Sequence, residues 1–228
     1  MKARMLDGLE CIMVDGYRIR LCESTECKLR CRDLAYRRML TPEYGLLDVA
    51  YARDDFDDVS EHTYLSVQAT ANGELVGTCR LRCNYDLSVH EGLDGATRAF
   101  MRHGARVADV GAYFTCLPED QPKVFEGVFT ACVELLLRRE HTGLYIQSQD
   151  THLRMYQGLG FRVIGPEFSV RGWATSWYPL LLHIPEFWRQ HADTGFQQWW
   201  RAQTGRPLKV GLWKRVAEHL ERRDLGPA

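Results

Sequence analysis

Apolar residues recur at helical spacing from residue 24 to about 40, where Cys27, Cys31, Leu34, Ala35 and Met39 fall on one face. Ser24 precedes them as an N-cap and Glu26 suits a first helical turn, so a helix starts there; Pro42 stops it. A loop rich in acid follows, with Asp48, Asp54, Asp55, Asp57, Asp58 and Glu61. In YLSVQATANGELVGTCRLRC two β-rich runs flank Asn72 and Gly73, a pair that tolerates the positive φ angles of a tight hairpin turn.

RVADVGAYF reads as a strand over about 106 to 114. Two prolines then break the chain, and a helix starts near Pro122, where a missing N–H costs little. Val124, Val128, Ala131, Cys132 and Leu135 line one side of it, and Phe125, Phe129, Val133 and Leu136 add a second apolar stripe, so this helix is largely buried. LYIQS (144 to 148) is a short strand, 150 to 158 a short helix and FRVIG (161 to 165) a further strand. Gly158 and Gly160 mark the end of that helix and the turn into the strand. From about Pro185 the chain reads as two amphipathic helices split at Gly205 and Pro207. Residues 1 to 184 form one domain in this reading, and 185 to 228 a helical extension packed on it.

A length of 228 residues and 45% hydrophobic composition suffice for a sizeable core. The net charge of -1 gives no global attraction to nucleic acid or anionic membrane, so such a partner must use a local patch. No run has the length of a signal peptide or a membrane span, and the expected location is cytoplasmic. The eight cysteines include no C-x-x-C pair, and a cytoplasmic setting argues for buried thiols over a disulfide framework. Cys27 with Cys31, and Cys79 with Cys83, are spaced so that a zinc site is conceivable, but plain thiols are the simpler expectation.

The order of helix, acidic loop, hairpin, strand, helix, strand, helix, Y-x-x-L-G-F and strand resembles the GNAT acyltransferases. Tyr156, Leu159, Gly160 and Phe161 stand where that family carries a tyrosine before an L-G-F turn. Upstream, DDFDDVSEHTYLSVQATANGELVGTCRLR is similar to the D-x-x-D, H and vGt-x-Rl pattern of the autoinducer synthases and long-chain N-acyl amino acid synthases. Asp54 or Asp55, Asp57, His62, Gly77 and Arg80 occupy those places. The resemblance spans roughly residues 15 to 170. It implies an α+β fold with a GNAT-like mixed, mainly antiparallel sheet flanked by helices, plus the C-terminal helical extension.

Two departures bear on chemistry. ADVGAYF keeps Asp109 but has Ala112 where an arginine of that branch is expected. Where many GNAT enzymes cradle the coenzyme A pyrophosphate on exposed N–H groups at a helix start, this chain has LPEDQPKVFEG. Glu119 and Asp120 repel a diphosphate, Pro122 withdraws an amide, and Lys123 is the one offset. The resemblance therefore implies an N-acyltransferase, with acyl carrier protein or aminoacyl-tRNA favoured over coenzyme A as donor and no tightly bound cofactor. The acceptor is the amine of a small molecule such as an amino acid or natural-product intermediate. Over 201 to 224, Arg201, Arg206, Lys209, Lys214, Arg215, Arg222 and Arg223 outnumber three acids and interleave with tryptophans. That segment either grips a carrier protein or RNA, or docks on the core. A GNAT-like shell without catalysis, and an ordinary acyl-CoA N-acetyltransferase, are the alternatives.

For the chemistry, the resemblance offers Tyr156 as general acid, against a tyrosine that only packs. Asp55, Asp57, His62 and Asp109 compete as base. A backbone amide from Ala112, Tyr113, Phe114 or Thr115 would receive the donor carbonyl, at a bulge eased by Gly111. Arg80 either pairs with Asp57 or Asp109 as scaffold or forks onto a substrate carboxylate. Cys116 as acyl nucleophile has no histidine nearby in sequence and departs from the direct transfer of the resembled family; His152, one helical turn before Tyr156, is either a proton relay or, the favoured reading, a surface residue.

Overall fold

The computed structural model describes residues 12–14, 16–40, 62–115, 121–139, 141–169 and 173–184. Asp54, Asp55, Asp57, Cys116 and residues 185–228, where two helices were expected, with all their basic residues, lie outside the described residues.

The first described elements form a hairpin, β1 (Ile12–Val14) and β2 (Tyr17–Leu21), with Gly16 between them at φ of 87°. Along β2 Tyr17 and Ile19 are buried while Arg18 and Arg20 are exposed, the alternation of a strand with one face on a core. The helix α1 (Thr25–Met39) begins where the sequence places it: the Cys27 N–H donates to the Ser24 side chain at 3.1 Å.

β3 (Thr63–Ala69) and β4 (Leu75–Arg82) form the next hairpin. Its turn is wider than the tight turn expected, because Gly73 alone adopts a positive φ (72°) while Asn72 uses its Oδ1 to accept the Glu74 N–H at 3.0 Å. A short helix α2 (Gly95–Arg102), capped by Asp94, precedes β5 (Val107–Thr115). Then come α3 (Gln121–Arg138), β6 (Gly143–Ser148), α4 (Asp150–Gly158), β7 (Arg162–Val163), β8 (Phe168–Ser169) and β9 (Ser176–His183).

The sheet runs β1-β2-β3-β4-β5-β6-β9-β7, with β8 on β9. Every pairing is antiparallel except β5 with β6. Side-chain alternation divides it into two faces. Leu65, Val67, Cys79, Leu81, Ala108, Leu144 and Ile146 pack against Val128, Ala131, Cys132 and Leu135 of α3. On the other face α1 covers Tyr64 through Cys31, and Phe100 and Met101 of α2 pack near Val107, Tyr145 and Leu181.

The cysteines depart from the expected arrangement. Cys79 meets Cys132 of α3 at 3.7 Å inside the core, and Cys83 lies 3.2 Å from Arg139 Nη1, so no zinc site joins Cys79 and Cys83 to Cys27 and Cys31. Cys22 and Cys27 form a disulfide instead, because the end of β2 meets the first turn of α1 there.

Candidate active site

β5 and β6 pair through Val107 with Gly143, Ala108 with Leu144 and Asp109 with Tyr145. Beyond Asp109, β5 pairs with β4 up to Thr115, and beyond Tyr145, β6 pairs with β9 up to Ser148. Two strands that were neighbours thus splay into a cleft, entered from their C-terminal ends.

One wall of the cleft carries a bulge. Arg80 is opposite Gly111 and Thr78 opposite Phe114, so Ala112 and Tyr113 together face Cys79. A bulge of this kind leaves one residue out of the ladder, and its amide can serve a ligand. It falls within Ala112 to Thr115 and just after Gly111, where the sequence places the donor carbonyl.

Arg80 and Asp109 are the charged pair beside this bulge. Both are buried, at 6% and 7% exposure, with Arg80 Nη2 3.8 Å from Asp109 Oδ2. Asp109, one of the two expected carboxylate partners of Arg80, is within ion-pair reach of it; Asp57, the other, lies outside the described residues. A Cβ on Gly111 would lie 3.1 Å from Arg80 Nη2, so a larger residue there would press the guanidinium aside.

Tyr64 stands across β3 and β4 from Arg80 and has no exposure. Burial pushes its phenol up to about 12, against the pull of Arg80. Tyr145, at the last β5 and β6 pair, is raised for the same reason, with Tyr85 stacked on it at 5.2 Å adding to the shift. Both phenols stay neutral near pH 7, so neither supplies a base. Sequence reading missed both tyrosines; the period-2 alternation that sets Tyr64 against Arg80 was the available signal. His62 is buried one residue before β3, with its ring edge to face with Tyr64 at 6.4 Å. His62, Tyr64, Arg80 and Asp109 therefore share the α1 face of the sheet.

Tyr156 belongs to the opposite face. It is half-buried near the end of α4, edge to face with Phe125 of α3 (6.4 Å) and with Phe161 (5.6 Å). The turn after it answers to its sequence closely: the Phe161 N–H donates to the Tyr156 carbonyl at 3.0 Å and the Gly160 N–H to the Gln157 carbonyl at 2.9 Å. Gly160 takes φ of 93°, and Phe161 closes the motif by touching Tyr156. This is a Schellman stop, in which only glycine adopts the left-handed position without strain. Gly158, by contrast, is still helical. His152 is exposed, with its Nδ1 2.7 Å from Thr151 Oγ1. Lys123 lies in the first turn of α3.

A splayed parallel pair with a bulge on one wall, followed by helix, strand and a tyrosine-bearing helix, is what the sequence resemblance leads one to expect. The sequence profile of the family described as N-acyl amino acid synthase FeeM matches residues 29–182. The chain belongs to that family. Three solved structures share its fold. FeeM, an N-acyl amino acid synthase from uncultured soil microbes, is 16% identical at a TM-score of 0.58, over 76% of this chain and 95% of that one. TofI in an apo form is 18% identical at 0.52, over 85% and 98%. An acyl-CoA N-acyltransferase from Pseudomonas aeruginosa is 13% identical at 0.51, over 74% and 99%. A search of curated protein sequences finds no match. This chain is thus an N-acyltransferase of the FeeM family, and it shares the fold of those structures. Among the described residues no helix is long and apolar enough to cross a membrane.

Proposed function

We propose that this chain transfers an acyl group directly from the thioester of an acyl carrier protein to the α-amine of an amino acid. The observation that carries the reading is the β5 bulge at the mouth of the splay, which offers a backbone amide to a carbonyl entering the cleft. The family description, N-acyl amino acid synthase, supports the choice of acceptor.

The amine attacks the thioester carbon, and the oxygen that becomes negative is held by the amide freed at Ala112 to Thr115. A base removes the amine proton; Asp109 and His62 lie on the α1 face, and Asp55 and Asp57 are the acids of the preceding loop. Collapse of the tetrahedral intermediate breaks the carbon–sulfur bond, and the departing thiolate takes a proton from Tyr156. Arg80, held by Asp109, orients the acceptor side through its charge.

A carrier-protein donor is favoured over coenzyme A by charge at the α3 start. Glu119 and Asp120 precede the helix, and Pro122 removes an N–H from its first turn. A carrier protein is gripped through its surface, which the basic residues from Arg201 to Arg223 suit; aminoacyl-tRNA would be gripped by the same charges.

The test is product formation, read by mass spectrometry, from an amino acid mixture with each donor in turn: acylated carrier protein, acyl-CoA and aminoacyl-tRNA. N-acyl amino acid from the carrier protein, at least tenfold faster than from acyl-CoA, is the expected result. Product from acyl-CoA or aminoacyl-tRNA alone overturns the donor assignment, and no product from any donor overturns the whole reading.

A further inference from the structure

Cys22, Cys27 and Cys31 bring three sulfurs to the junction of β2 and α1, away from the cleft. All three Sγ atoms lie within 4.8 Å of one another, and Cys22 Sγ is 3.5 Å from Cys31 Sγ. Two ligands of one tetrahedral zinc ion, each about 2.3 Å from the metal, sit roughly 3.8 Å apart; the Cys22 and Cys31 sulfurs are near that spacing, and the bonded Cys22 and Cys27 sulfurs must part to reach it.

The sulfurs are also held on rigid elements. The Cys22 N–H donates to the Tyr64 carbonyl at 2.8 Å, which prolongs the β2 and β3 ladder by one residue. The Ser24 cap fixes the turn that carries Cys27, and Cys31 follows one helical turn later on the same face. Cys22 and Cys31 are buried under Tyr64, while Cys27 is half-buried and offers the way in.

We propose that these three cysteines, as thiols, form a binding site for a thiophilic d10 cation of the zinc class. Three thiolates supply the charge and softness that such an ion selects, and a fourth tetrahedral position stays open to water. The Cys22 to Cys27 disulfide and the cation are alternative occupants, because each needs the same two sulfurs. The oxidised chain excludes the ion and the reduced chain takes one, with the three thiol protons passing to buffer.

The experiment reduces the full chain with a water-soluble phosphine, removes the phosphine without air, and titrates with Cd2+ while following thiolate-to-cadmium absorption in the ultraviolet. Competition against a chromophoric chelator then gives the Zn2+ affinity. One cation per reduced chain is expected. Cys27→Ser and Cys31→Ser should each weaken Zn2+ binding tenfold or more, Cys83→Ser should leave it unchanged, and the chain oxidised with glutathione disulfide should bind none. Thermal unfolding of each metal-free variant checks that it folds. If the buried Cys31→Ser does not fold, Cys27→Ser at the half-buried position carries the same test. Absence of a one-to-one absorption band in the reduced chain, or a Zn2+ affinity that Cys27→Ser leaves unchanged, overturns the proposal.

Discussion

Gly111 faces Arg80 across β4 and β5, so close that a single methyl group on Gly111 would sit 3.1 Å from the guanidinium. Arg80 is buried and already committed to Asp109, which leaves the guanidinium little room to give way. Gly111→Ala should therefore push Arg80 aside. A loss of about 1 kcal/mol, as for modest overpacking, is expected in urea unfolding, with a larger fall in kcat/KM than that stability loss explains.

The Arg80 and Asp109 pair makes a second, sharper test. Removing one partner of a buried pair strips the other charge of its compensation from that side, and Arg80→Met alone should cost roughly 3 to 5 kcal/mol. Replacing both, as Arg80→Met with Asp109→Leu, should recover much of that loss, because the desolvation cost of the remaining charge disappears. Denaturant midpoints of the four proteins close the cycle. An additive double variant would mean that the two charges do not stabilise one another.

Tyr156→Phe separates packing from proton transfer. The ring contacts with Phe125 and Phe161 persist in the variant, so thermal stability should change little. If Tyr156 protonates the leaving thiolate, kcat should fall by about a hundredfold with little change in acceptor KM. Unchanged kcat would return Tyr156 to a packing role.

His141 predicts a pH dependence of stability. Burial, helped by the positive charges of Arg106 and Arg139, lowers it from the ordinary 6.5 to about 4. Between those values the unfolded chain binds a proton that the folded chain refuses. Stability should therefore decline as pH falls from about 6.5 towards 4, and level off below, as far as this group contributes. Its Nε2 accepts the Asn84 N–H at 3.3 Å, a role a glutamine oxygen can fill. His141→Gln should flatten the decline, measured as the urea midpoint against pH.

Local signals were the legible ones. Ser24, Pro122, the hairpin around Gly73 and the Gly160 stop each act within a few residues of themselves, and each stands where the sequence places it. The bulge was also legible, since Gly111 lies next to it. β9 was not, because Pro179 in SWYPLLLH reads against a strand. In the fold Pro179 stands opposite Gln147 in register, and its carbonyl accepts the Ile164 N–H at 3.0 Å. β2 and α2 are short elements whose hydrophobic faces make sense only against partners far along the chain. The cysteine cluster was hidden for the same reason. Cys22 closes a strand and Cys27 opens a helix, and compartment arguments about disulfides say nothing of two sulfurs that chain geometry brings together.

The three residue pairs that join β5 to β6 have a consequence for the whole sheet. On either side of them lie antiparallel ladders complete in themselves, one from β1 to β5 and one from β6 with β9, β7 and β8. The molecule is thus two ribbons stitched along a short seam. Undoing the last stitch, Asp109 with Tyr145, would widen the gap by a full residue on each side without breaking any pairing inside either ribbon. Under the proposed function, a substitution at the seam would refit the cleft to a bulkier acyl chain, while the rest of the sheet keeps its register.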